Sequence, residues 1–232
     1  GPGGGPRERL RRSCLYLPGN DPAALLHAGR HGPDVVVLDL EDAVAPAEKD
    51  AARTLVRNAL RTVDFRGAER AVRINQGDHG LADLEWIVPH HAHAVLIPRA
   101  EDPEQVVHVR DRVDFLRPAH LVETPVWLIP VIESARGAWR ACEIAGAADT
   151  VAALAFHAED YAAEIGAERT REGRESFWAR SQVLNGARAA GVQPLDAAFA
   201  DAGDLEGLRR AAAEARALGF EGQACAHAAQ IA

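Results

Sequence analysis

Methionine is absent from this chain and lysine occurs once, as Lys49. Imine chemistry needs a lysine amine of lowered pKa, and arginine stays protonated and cannot replace it. Lys49 falls in a predicted helix, Ala47–Val63, on a polar face, so a Schiff-base mechanism is not expected. Cysteine is scarce: Cys14, Cys142 and Cys225 are too far apart in sequence for a metal motif and too few for a disulfide framework. A reducing cytoplasm is the simplest location for such a chain. No apolar run approaches the ~20 residues of a membrane span. No secretory leader is expected either, because Arg7–Arg12 is too charged for its apolar segment. A basic stripe is also missing and the formal net charge is −8, which speaks against a nucleic-acid partner.

What remains is the composition of an ordinary globular protein, 47% hydrophobic and 26% charged over 232 residues. Eight short apolar runs recur: Cys14–Leu17, Val35–Asp39, Arg70–Ile74, Ala94–Ile97, Val126–Val131, Val151–Ala155, Gln193–Asp196 and Gly222–Ala226. Helical patterns separate them, at Ala23–Ala28, Ala47–Val63, Leu81–Val88, Pro103–Leu116, Ala135–Ala145, Glu175–Ala190 and Leu205–Leu218. Asp102 and Asp204 stand as N-caps, and Gly191 and Gly219 as stops. Alternating strands and helices imply a parallel sheet, and eight units favour a closed α/β (β/α)8 barrel, a TIM barrel, over an open sheet. The turn Leu17–Pro22 lacks the Gly-rich fingerprint an open dinucleotide-binding sheet carries there. Residues 1–10 read as a flexible tail and 11–232 as one catalytic barrel, short at its C-terminus. The charged segment Gly166–Gly173 reads as a loop over the rim.

A barrel of this kind does its chemistry at the C-terminal ends of its strands. The second strand ends in Asp39, Glu41 and Asp42, three carboxylates that repel one another and need a cation, an arginine or shared protons. Arg73 ends the third strand. It grips a substrate carboxylate in bidentate geometry, pairs with Asp39, Glu41 or Asp42, or does both. Glu133 follows the fifth strand and Asp160 the sixth. One carboxylate from each of two neighbouring strands suits Mg²⁺, which takes one or two protein carboxylates; the alternative is helix capping by Glu133 and a loop position for Asp160. His157 is an acid/base group, a metal ligand or a filler of the mouth, and His227 faces either the rim or the closing strand. His90, His91 and His93 lie on a helix-to-strand connection, at the opposite face, and read as solvated loop. Asn20 and Arg99 are further strand-end residues, suited to shaping the mouth or touching a substrate tail.

The stretches Arg12–Asn20 and Val36–Pro46, with Lys49 and Ala52-Arg53, resemble the citrate lyase beta-subunit-like family of the HpcH/HpaI aldolase group. Val72–Asn75, Ile132–Gly137, Ala158–Asp160 and Gly219–His227 with Gln230 are similar in type and order, so the resemblance runs from about Arg11 to Ile231. It implies a Mg²⁺-dependent carbon–carbon lyase of 3-hydroxyacyl-CoA thioesters such as citryl-, malyl- or citramalyl-CoA, giving an acyl-CoA and a 2-oxo acid. By the same resemblance Glu133 and Asp160 bind Mg²⁺ and Arg73 and Glu133 contact substrate. Backbone amides at Ala158 and Glu159 hold the oxo-acid carboxylate, with Asp39, Glu41 and Asp42 in support. A homo-oligomer, trimer or hexamer, and a partner subunit are further expectations. The alternatives are a thioesterase or a non-catalytic barrel subunit. Three departures stand out: His157 occupies a position that is usually Gly, His227-Ala228 replaces His-Pro, and many relatives continue past the equivalent of Ile231.

Overall fold

The computed structural model describes residues 9–231, so residues 1–8 of the expected tail and Ala232 lie outside the described residues. Among the described residues the strands close into one parallel barrel in sequence order, β1 (Ser13–Pro18), β2 (Val35–Asp39), β3 (Glu69–Arg73), β4 (Ala94–Ile97), β5 (Trp127–Ile132), β6 (Ala153–Phe156), β7 (Gln193–Asp196) and β8 (Gly222–Cys225). Closure comes from β1 against β8, with Cys14 opposite Ala224. The helices are α1 (Pro22–Leu26), α2 (Lys49–Thr62), α3 (Gly77–Ile87), α4 (Pro103–Ala119), α5 (Ala135–Trp139), α6 (Ala141–Ala145), α7 (Ala158–Glu164), α8 (Phe177–Ala190) and α9 (Leu205–Leu218).

Strand periodicity divides the apolar residues between two cores. Val35 and Val37 point into the barrel with Cys14, Ala71, Leu96, Ile129 and Val131. Val36 and Leu38 point outward, into the larger layer under the helices. The bottom of the barrel is plugged by charge: the Arg11 guanidinium donates to both Glu69 oxygens, at 2.6 and 2.9 Å, and to Gln193 Oε1, all of them buried. The C-terminal glycine signal at Gly191 is met, with φ of 69° after α8. Asp204 accepts from Gly207 N at 2.8 Å and caps α9.

Three expectations need correction. The single helix Ala135–Ala145 is two, broken at Arg140 (φ −100°, ψ 13°) where the guanidinium is held by Asp102 and Glu143. α7 was not anticipated at all, because seven residues are too few for a helical period to stand out. His93 is not solvated: it is half-buried and accepts from Arg70 N at 3.3 Å, and burial beside that guanidinium lowers its pKa to about 4. The three cysteines are free. No helix among the described residues is long and apolar enough to cross a membrane.

Candidate active site at the barrel mouth

The mouth is an open cavity of about 330 Å³ over the ends of β1, β2, β3, β6, β7 and β8. Its wall includes Tyr16, Asp39, Asp42, Arg73, His157 and Asp160. A second cavity, about 490 Å³, lies beside it under Arg169–Gly173 and shares Ala158, Ala197 and Ala198 with it. The loop over the rim expected at Gly166–Gly173 therefore roofs this second space.

Arg73 is buried and spoken for. Its Nε and Nη2 donate to Asp39 at 2.8 and 2.6 Å, a bidentate pair. Nη1 lies 3.3 Å from both Glu41 and Asp42. Burial alone would raise the Asp39 carboxyl, but the hydrogen bonds and charge of Arg73 outweigh it and hold it below the usual carboxylate range. Of the two roles open from sequence, the partner to Asp39, Glu41 and Asp42 is the one the geometry displays. Burial pushes Glu41 up to about 7, with the Gln76 hydrogen bond opposing and Asp42 reinforcing the rise. Lys49 closes this loop from behind. Its Nζ donates to Leu40 O at 2.8 Å and to Glu41 O at 2.5 Å. Lys49 thus anchors the acidic loop instead of lying on a polar helix face.

Glu133 sits one residue past β5, 4% exposed. Its Oε1 accepts from Arg99 N at 2.6 Å. That amide is aimed by an unusual backbone, since Arg99 has φ of 44°, in the left-handed region where a side chain is strained. The other oxygen, Oε2, is buried and makes no hydrogen bond. It faces His157 Nδ1 at 3.2 Å, and Nδ1 lies 3.9 Å from Asp160 Oδ2. Asp160 occupies the first turn of α7, not a loop, and is 49% exposed. Partial burial raises its carboxyl above the usual range, the Glu133 charge adds to that, and His157 opposes it. The ligand atoms of Glu133, His157 and Asp160 all fall within 4.8 Å of one another, a group able to hold a metal ion.

The remaining sequence candidates fall outside this cluster. Glu159 lines the mouth cavity, and its exposed side chain pairs with Arg169 at 2.9 Å. Asn20 ties to Glu48 at 2.8 Å. His227 is exposed, and Ala226 takes the place on the cavity wall. Sequence reasoning missed Tyr16, whose hydroxyl lies 3.1 Å from His157 Nε2. Alternation along β1 was the available signal, because Tyr16 follows inward-facing Cys14 by two residues. It also missed Asp83, fully buried, which accepts from Asn75 N at 2.8 Å and Arg53 at 2.8 Å and so fixes the turn after β3. The available signal was helical spacing, which puts Asp83 on the inward face of α3 with Gly80, Leu84 and Ile87.

Comparison with known proteins gives one consistent answer. The family model described as HpcH/HpaI aldolase/citrate lyase matches residues 12–228. The citrate lyase subunit beta of Leuconostoc mesenteroides subsp. cremoris is 37% identical over 231 residues, covering 97% of this chain and 75% of that one. The mitochondrial citramalyl-CoA lyase of Homo sapiens is 32% identical over 96% of this chain and 69% of its own. The citrate lyase beta subunit of M. tuberculosis, solved with oxaloacetate and magnesium, superposes with a TM-score of 0.80 at 34% identity, over 97% of this chain and 95% of that one. By sequence along nearly its whole length and by the closed barrel it forms, the chain belongs to the HpcH/HpaI aldolase/citrate lyase family.

Proposed function

We propose that the chain is a carbon–carbon lyase that splits a 3-hydroxyacyl-CoA thioester into an acyl-CoA and a 2-oxo acid, with Mg²⁺ or a similar dication held by Glu133 and Asp160. One observation carries the reading: Glu133 Oε2 is buried without a hydrogen bond and faces a second carboxylate. A buried anionic oxygen without a hydrogen bond is costly, its one near neighbour being the His157 imidazole, and two neighbouring carboxylates repel, so the donor set fits a dication. When bound, such a cation draws charge from the substrate oxygens and eases the charge that develops at the new carbonyl.

In the reaction the bond beside the hydroxyl breaks. The hydroxyl carbon becomes the carbonyl of the 2-oxo acid as the hydroxyl O–H gives up its proton. The electron pair moves to the thioester α-carbon, which takes up a proton. The chain's own residues set the frame for this. Arg73, held rigid by Asp39, adds fixed positive charge at the mouth, and Glu41 and Asp42 keep its Nη1 in place. The N–H groups of Ala158 and Glu159 open α7 and suit an oxo-acid carboxylate. The cavity beside the mouth gives room for a thioester tail. Lys49, both of whose carbonyl contacts hold its ammonium, takes no part in an imine. His157 leaves the mouth open, which favours catalysis over a merely structural barrel.

The homo-oligomer expected from the sequence stays a proposal. The exposed Trp139, stacked on Trp178 with ring centroids 5.6 Å apart, is the large apolar surface that a second copy would cover.

The deciding experiment incubates the protein and Mg²⁺ with a panel of hydroxyacyl-CoA thioesters. Appearance of a 2-oxo acid with an acyl-CoA is expected, and Asp160→Asn should lose both the product and Mg²⁺ binding. Release of free CoA with an intact hydroxy acid would assign a thioesterase. No turnover of any thioester, or Mg²⁺ binding unchanged in Asp160→Asn, would overturn the reading.

A further inference from the structure

We propose that His157 is a third ligand of the cation site, through Nδ1, and that the site therefore prefers a first-row transition dication such as Mn²⁺ or Co²⁺ to Mg²⁺. This rests on the reading that Glu133 and Asp160 hold a dication, and goes beyond it in the identity of the ion.

The position of His157 follows from the chain. It ends the connection from β6 and caps α7, and its amide donates to Ile132 O at 2.9 Å, directly beside Glu133. Its backbone is extended (φ −114°, ψ 108°), so a side chain is carried there without strain. Asp160 follows three residues later, which places both side chains on one face of the first helical turn.

The contact between His157 and Glu133 is not an ordinary hydrogen bond. Nδ1 is 3.2 Å from Oε2, yet Oε2 has no hydrogen-bond partner. With the imidazole protonated this contact is an ion pair; with it neutral, two lone-pair atoms stand side by side as ligands of a common ion do. Neighbouring ligands on an ion with bonds of ~2.1 Å stand roughly 3.0–3.4 Å apart. The observed 3.2 Å meets this, and 3.9 Å to Asp160 Oδ2 needs only a small side-chain closure. The far side of the ring is also prepared. Nε2 lies 3.1 Å from the Tyr16 hydroxyl, and a metal-ligating imidazole characteristically gives its other N–H to such an acceptor, which fixes the tautomer.

The donor set decides the ion. Mg²⁺ takes oxygen almost exclusively and keeps much of its water. An imidazole nitrogen raises affinity for Mn²⁺, Fe²⁺, Co²⁺ and Zn²⁺ relative to it. Glu133 and Asp160 alone would make an all-oxygen site, and the His157 imidazole converts it into a mixed one.

The test loads wild-type protein with Mn²⁺ and records pulsed electron paramagnetic resonance, with ¹⁵N-histidine labelling as the control. Coupling to one histidine nitrogen is expected in the wild type and none in His157→Gly or His157→Asn. Competition of Mn²⁺ against Mg²⁺ should show the preference for Mn²⁺ falling at least about tenfold in both variants. Mn²⁺ bound without nitrogen coupling, or with an unchanged preference, overturns this proposal and leaves Glu133 and Asp160 as ligands. Failure of the wild type to bind Mn²⁺ and Mg²⁺ alike overturns both readings. A wild-type spectrum without nitrogen coupling overturns the proposal by itself, and the two variants assign an observed coupling to His157.

Discussion

At the scale of single residues, the candidate site is organised by backbone as much as by side chains. Arg99 serves Glu133 through its N–H, delivered by a left-handed conformation. Arg99→Gly is therefore expected to keep cation binding and to gain up to ~1 kcal/mol from relieved strain, less the loss of the exposed pairs to Glu101 and Glu164. Urea denaturation with a parallel cation titration checks both. A β-branched residue there should instead weaken binding by misdirecting the amide. Glu41 gives a second expectation. Its folded-state carboxyl titrates near 7, above the ordinary 4.5. A raised acid contributes stability that is complete below pH 4.5 and is lost as pH rises through 7. Wild-type protein should thus lose stability between pH 5 and 8, and Glu41→Gln should flatten that slope in denaturation curves taken across the range. Asp39 runs the opposite way, since its lowered carboxyl gives stability that disappears only as pH falls below the usual carboxylate range. How much of this was legible varied with the signal. Asp39, Arg73, Glu133 and Asp160 stood out because polar residues directly after apolar runs are conspicuous. Which oxygen of Glu133 is satisfied and which is bare depends on the φ angle of Arg99, and no spacing encodes that.

At the scale of elements, strands were read almost to the residue because each is a short apolar run bounded by a polar turn, and β2, β4, β6 and β7 are buried along their whole length. Helices were read well where a cap or a glycine marks the end, as at α8 and α9. α7 escaped notice, although it carries Asp160. Loops were the least legible, and the β1–α1 turn shows why. Gly19 donates to Asp39 O at 2.8 Å, and a Cβ on Gly19 would lie 2.6 Å from that same oxygen. The turn and the end of β2 are thus one unit, and Pro18-Gly19 in the sequence says turn without saying against what. Gly19→Ala should cost roughly 1–3 kcal/mol by forcing the backbones apart. Because the displaced residue would be Asp39, catalysis should fall further than stability alone explains. Measuring kcat at a temperature where the variant is fully folded separates the two.

Across the whole molecule, the barrel keeps its two ends for different tasks. β3 displays this in a single strand, beginning at Glu69 in the buried ionic plug and finishing at Arg73 in the mouth. Removing Glu69 takes away the carboxylate that matches the buried Arg11 charge. Glu69→Ala is expected to lose ~3–5 kcal/mol of stability, yet to retain cation affinity once folded, as measured by calorimetry below its unfolding temperature. Loss of binding in the folded variant would contradict the separation of the two ends.

The crowding of carboxylates around one arginine carries a last consequence, for the order in which ligands arrive. Asp39, Glu41 and Asp42 crowd Arg73, whose charge is already matched by Asp39, and Glu133 and Asp160 stand together with His157. To an approaching anion such a mouth is a repulsive field, and to a cation an attractive one. With a dication held by Glu133 and Asp160 as proposed, the expected order of addition is the dication first, reversing the local field, and the anionic substrate second. Equilibrium dialysis of a labelled 2-oxo acid should show retention with the dication present and none after chelation. The rate at which the dication itself is captured should fall as ionic strength rises.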